Sequence, residues 1–110
     1  MQRDLLLFGH THVPVAYVCI TVSGKEMWRA VPFRSERAVY RIPPNARVLF
    51  NPGSVGQPRD GIPQASYAIL DEEARALELF RVSFDIAKVQ RKLREANYDA
   101  ALGTRLEVGH

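Results

Sequence analysis

A chain of 110 residues, 46% aliphatic, aromatic or cysteine and 25% charged, has room for one domain with a small core. That length excludes a two-sheet, four-layer enzyme, and the composition excludes disorder. Fifteen Lys and Arg against twelve Asp and Glu leave a net charge of +3, which admits a phosphate-bearing ligand without requiring nucleic acid. With one cysteine, no apolar run near the ~18 residues of a membrane span and no signal-peptide pattern, a single cytoplasmic domain over residues 1–110 is expected, with no membrane partner.

In chain order, the first readable element is Leu5-Leu6-Leu7-Phe8, an apolar run ended by Gly9. It has the pattern of a buried strand that stops abruptly at a sheet rim. His10-Thr11-His12-Val13-Pro14 follows directly. If the backbone stays extended there, both imidazoles project to one side about 7 Å apart at Cα, a spacing suited to one metal or two adjacent metals. Gly9 lets backbone or an ion come close, and Pro14 holds Val13 extended. The only other histidine is His110.

Val15 to Val22 is β-branched and aromatic and reads as a strand with both faces partly covered, Ser23-Gly24-Lys25 as a turn, and Glu26 to Val31 as the returning strand. Cys19 lies in the first arm as a buried, inert thiol, and Trp28 packs over the hairpin. Ala38 to Ile42 alternates as a short strand, confined to an edge by Pro32, Pro43 and Pro44. Arg34, Arg37, Arg41 and Arg47 read as charges guarding that edge rather than as a phosphate-binding patch. Arg47-Val48-Leu49-Phe50 is a further buried strand, stopping at Asn51-Pro52-Gly53-Ser54 in the same strand-then-rim pattern as at Gly9, so two strands deliver two loops to one edge. A turn-rich stretch through Asp60-Gly61 follows, in which Arg59 is placed either to face an anionic ligand or to bond loop carbonyls. Ser66 to Leu70 and Ala76 to Phe84 form a second hairpin. Asp85 caps a helix over Ile86 to Asn97, whose apolar stripe is Ile86, Val89, Leu93 and Ala96. Its Lys88, Arg91, Lys92 and Arg94 form a solvated face, and Ala100-Ala101-Leu102 adds a last turn before Gly103.

Phe8-Gly9-His10-Thr11-His12-Val13-Pro14, followed in order by Asn51-Pro52-Gly53-Ser54-Val55-Gly56-Gln57-Pro58-Arg59-Asp60-Gly61, resembles the C-terminal half of a calcineurin-like metallophosphoesterase of the small prokaryotic phosphodiesterase type. The resemblance implies an α+β fold: a β-rich half-sandwich of short strands and hairpins with one C-terminal amphipathic helix, equivalent to the second half of an αββα sandwich. It also implies a two-metal site, with Mn, Zn, Ni or Fe, in which His12 serves the first metal and His10 the second, while Gly9, Asn51, Gly53 and Ser54 form the supporting loop beside it. No catalytic residue other than these ligands is matched. The family's upstream ligand motifs, of the types Asp-x-His, Gly-Asp and Gly-Asn-His, have no counterpart in this sequence, and Ala16 to Arg47 is longer than the hairpin expected between the two matched motifs.

Two functions are therefore set against each other. One is the C-terminal portion of a metal-dependent phosphoesterase acting on phosphodiesters or phosphomonoesters, holding metal weakly or at partial occupancy and inactive as this chain alone. The other is a non-catalytic protein-binding or regulatory module built on the same fold. Either way, the unalternating apolar strands predict a homo-oligomer or association with a separate N-terminal half. A phosphate-bearing small molecule is the expected ligand, and nucleic acid is not.

Overall fold

The computed structural model describes residues 4–110. Seven strands and two helices follow one another: β1 (Leu5–Leu7), β2 (Val15–Val22), β3 (Lys25–Pro32), β4 (Arg37–Arg41), β5 (Arg47–Asn51), β6 (Ala65–Asp71), β7 (Ala76–Val82), α1 (Ile86–Glu95) and α2 (Ala100–Val108). The strands make two sheets, ordered β1-β5-β2-β3 and β4-β7-β6. β5 is parallel to β1 and antiparallel to β2, and every pairing in the second sheet is antiparallel. The α+β half-sandwich expected from the sequence is the observed architecture.

The sheets face each other through the alternate residues of their central strands. Val48 and Phe50 of β5, with Ala16 and Val18 of β2, meet Leu77 and Leu79 of β7 in one buried cluster. Phe33 joins the sheets, edge-on to both Phe50 and Tyr40. Each of the buried Val, Leu and Phe side chains stabilises the fold by about 1.5–3 kcal/mol. The inner faces therefore cover one another, and the uncovered apolar surface lies elsewhere, on the outer faces and edges.

The β2–β3 hairpin closes through Ser23 and Gly24, both at positive φ (50° and 78°), the two-residue turn that matches the strands' right-handed twist. It accounts for the first part of the excursion from Ala16 to Arg47, and β4, in the second sheet, lies in the rest. Its distal half, including Ile20, Val22, Met27 and Trp28, projects into solvent, in a molecule 57 Å long and 23 by 21 Å across. Trp28 is thus an exposed residue of the projecting ribbon, and β2 is covered on its inner face only near the core. Cys19 is buried as expected, but a guanidinium nitrogen of Arg47 lies 3.7 Å from its sulfur.

β1 differs from its expectation. It is a three-residue edge strand, and Leu6 and Leu7 are 45% and 57% exposed. Its apolar run suits a central strand, but among the described residues it has a neighbour on one side only.

The C-terminal region holds two helices where one helix and a turn were expected. Asp85 caps α1 by accepting the Lys88 N–H, as the sequence indicated, and Asn97 (φ 62°) ends it in the left-handed region. Asp99 then caps α2, which runs through Gly103 to a left-handed Gly109. Gly103 is an interior residue because the helices touch there: a Cβ would lie 3.1 Å from Gln90 Cγ. No residue of α1 is buried. The helical pair does not lie on a sheet; Val89, Leu93, Leu102 and Leu106 line an apolar groove with Gly56 and Gln57, and the Gly61 N–H donates to Gly109 O at 2.9 Å. Among the described residues both sheets keep bare outer faces, with Tyr17, Val39, Tyr67 and Ile69 exposed.

Candidate metal centre

β1 and β5 run parallel, so Gly9-His10 and Asn51-Pro52 leave the sheet at the same end. The chain must then pass from β1 to β2, which lies on the other side of β5 and runs the opposite way. Seven residues make that arch over the end of β5, which extended backbone cannot do. His10 and His12 accordingly adopt positive φ, 81° and 62°, and the expectation of two imidazoles aligned by strand alternation is corrected.

Asn51 holds the arch. It is wholly buried, and its amide nitrogen donates to Gly9 O (3.3 Å) and Thr11 Oγ1 (2.9 Å), while its Oδ1 accepts the Gly53 N–H (2.9 Å). Gly53 requires glycine twice over: φ is 85°, and a Cβ would sit 2.9 Å from the Ser66 side chain. Ser54 Oγ accepts the Gln57 N–H (2.9 Å). The loop so shaped presents the Gln57 carbonyl to His12, whose Nδ1 lies 2.8 Å away. A carbonyl only accepts, so Nδ1 carries a proton, and in the neutral ring the lone pair is on Nε2. This is the arrangement in which a metal-ligating histidine is oriented by a neighbouring backbone oxygen. His10 is exposed at the same rim. Beside Gly9 there is open space, with nothing within 4 Å of where a Cβ would be.

The same loop is anchored from behind. Asp60 pairs with Arg81, the side chains being 5% and 1% exposed. Arg81 also donates to Phe33 O at 2.9 Å. Asp60 O in turn accepts from Arg34 (3.2 Å), and the Arg59 N–H donates to His12 O (3.3 Å). Arg59 itself is exposed, with its guanidinium on the Gln57 side-chain oxygen (3.1 Å).

These residues supply two imidazoles and no carboxylate. Asp60 is engaged by Arg81, and Asp4 lies 4.0 Å from Arg75. Among the described residues no group of three or more His, Cys, Asp and Glu could hold an ion. The donor set fits one side of a divalent-metal centre and leaves the other unfilled.

Gln57, Thr11 and Arg81 were not anticipated. Gln57 acts through its backbone carbonyl, for which residue type gives no signal. Arg81 had one: it shares the alternation of Leu77 and Leu79, and a charge on a core-facing register demands a buried partner.

No protein-family model matches the chain. Its sequence is 39% identical over 106 residues to the uncharacterised protein MJ0912 of Methanocaldococcus jannaschii, covering 96% of this chain and 40% of that relative. Its structure superposes, with a TM-score of 0.83 and 36% identity, on a metallophosphoesterase from Sphaerobacter thermophilus, covering all of this chain and 44% of the other. This chain carries the fold of part of a metallophosphoesterase. It spans less than half the length of each of these two proteins. Among the described residues no helix is long and apolar enough to cross a membrane.

Proposed function

We propose that this chain is the C-terminal portion of a metal-dependent phosphoesterase, to which it contributes His10 and His12 as metal ligands, and that it is inactive by itself. The observation that carries this reading is His12, fixed in its Nδ1–H tautomer by Gln57 O with Nε2 left free. Bound divalent cations would polarise a phosphoryl group and lower the pKa of water there. The chain's own residues orient the ligands: Asn51 shapes the arch, Gln57 sets the His12 tautomer, and the Asp60–Arg81 pair anchors the loop. Arg59, exposed beside Gln57, is the candidate contact for the anionic group of a phosphate-bearing substrate. The lack of a carboxylate ligand favours inactivity of the isolated chain, because two closely spaced cations need an anion between them. The same lack favours the second reading, a non-catalytic protein-binding module.

Titration calorimetry separates them. Two neutral imidazoles bind Zn, Ni or Cu weakly and in preference to Mg, and His12→Ala abolishes that binding; identical isotherms for wild type and variant would refute the metal role. In parallel, bis-p-nitrophenyl phosphate with Mn is expected to give no sustained turnover. Turnover abolished by His12→Ala would overturn the inactivity of the chain.

A further inference from the structure

The apolar stripe of α1 would ordinarily cover a sheet, yet among the described residues neither α1 nor α2 packs against a strand. The pair touches instead the loop that orients His12, and it touches that loop at both ends. At one end Val89, Leu93, Leu102 and Leu106 face Gly56 and Gln57, with Leu106 only 3% exposed. At the other the Gly61 N–H donates to Gly109 O at 2.9 Å.

Between those ends the loop grips His12 twice. Gln57 O accepts from the ring at 2.8 Å, and the Arg59 N–H donates to the His12 main-chain O at 3.3 Å. Pro58 is fully buried between the two contacts. It fixes its own φ and keeps Gln57 out of the helical region, so the two contacts move as one unit.

The groove at the Gln57 end is loosely filled, with 200 Å³ open, and the close contact is at Gly109. Its φ is 70°, and a Cβ there would lie 2.7 Å from Ile62 N and 2.9 Å from Gly61 C. Those are backbone atoms, which cannot swing aside as the end of a side chain can. Any larger residue therefore either displaces the loop or lifts the helix pair from it, and lifting uncovers Gln57 at the other end. Gly24 has a similar φ, 78°, but nothing within 4 Å of a Cβ, so glycine is favoured there by conformation alone.

We infer that Gly109 and Leu106 are positioning residues for the metal centre: the α1–α2 pair buttresses the Gln57-Pro58-Arg59 clamp and thereby sets the orientation and tautomer of the His12 ring. This rests on the ligand role proposed for His12. Each residue acts through the loop rather than on the metal. Loss of the group that orients a metal-ligating histidine weakens binding by about 10–100-fold, and disturbing the buttress reproduces part of that loss.

The test compares Gly109→Asn, Leu106→Ala and a control, Gly24→Asn, with wild type in the full chain. Zinc titration calorimetry gives the affinity. Long-range proton–nitrogen NMR at mildly alkaline pH tells an Nδ1–H ring from an Nε2–H ring. Asparagine tolerates the left-handed conformation, so Gly109→Asn introduces the collision with little backbone strain. Zinc affinity should fall about tenfold in Gly109→Asn and about threefold or more in Leu106→Ala, with the His12 signal moving from the Nδ1–H pattern to a mixture of tautomers. Gly24→Asn should keep the wild-type ring pattern and an affinity within about twofold. A change in stability alone leaves the native ring pattern in place. If Gly109→Asn loses the wild-type far-UV spectrum, Leu106→Ala carries the test, with Leu106→Met expected to restore wild-type binding. Wild-type affinity and ring pattern in both variants would overturn the inference, and so would an equal loss in Gly24→Asn. No zinc binding by the wild type would remove the ligand role of His12, while the ring pattern still decides whether the helix pair positions it. Zinc bound through His12 but insensitive to both variants would do the reverse.

Discussion

Replacing Arg81 by Met should be the most damaging single polar change in this protein. The substitution keeps most of the side-chain volume, so the loss is electrostatic. It strands the Asp60 carboxylate, 5% exposed, and deprives Phe33 O of its 2.9 Å donor. Breaking a buried pair from one side costs about 3–5 kcal/mol, a large share of the roughly 5–15 kcal/mol that holds a domain of this size together. With an m-value of about 1–3 kcal/mol per M in urea, the midpoint should fall by at least ~1 M. The paired variant Arg81→Met/Asp60→Leu removes the stranded charge and should recover about 2 kcal/mol or more relative to Arg81→Met. Urea unfolding followed by circular dichroism at fixed protein concentration measures both. A single variant within 1 kcal/mol of wild type, or a double variant no more stable than the single one, would refute the account of Asp60 and Arg81 as a mutually dependent buried pair.

Asn51→Ala should cost about 1–3 kcal/mol, because Gly9 O and Thr11 Oγ1 lose their donor and Gly53 N–H its acceptor in a buried site; the same calorimetry should show weaker metal binding, and unchanged stability would contradict the role given to Asn51 in the arch. Burial raises the Tyr40 pKa above its ordinary 10.0, opposed in part by the nearby Arg29 charge. The unfolded chain therefore loses this proton first, so the stabilisation is complete below pH 10 and is lost as pH rises through the folded-state value. Tyr40→Phe should flatten the decline of the urea midpoint above pH 10, and an unaltered slope would show that Tyr40 is not its source.

The sequence determined the local elements because their signals are local. The Ser23-Gly24 turn, the existence of β4 to β7 as strands and the Asp85 cap follow from residue type and spacing alone, and so does the occurrence in order of the two rim motifs. What it could not set was the path between them. His10-Thr11-His12 reads as extended by itself, but the placement of β1 and β2 on opposite sides of β5 obliges those residues to arch, and positive φ at both histidines is the result. The burial of Leu5-Leu6-Leu7 was misread for a related reason. Apolar character shows what a strand is suited to meet, whereas exposure depends on which neighbours are present, and among the described residues β1 has a neighbour on one side only. The α1–α2 pair likewise sits on the Gly56–Ile62 segment rather than on a sheet, since the close approach of Gly103 to Gln90 and of Gly109 to Ile62 exists only once the chain is folded. His12 was visible in the sequence as a candidate ligand. The Gln57 carbonyl that fixes its tautomer was not, because every residue carries a carbonyl and only the tertiary structure chooses which one faces the ring.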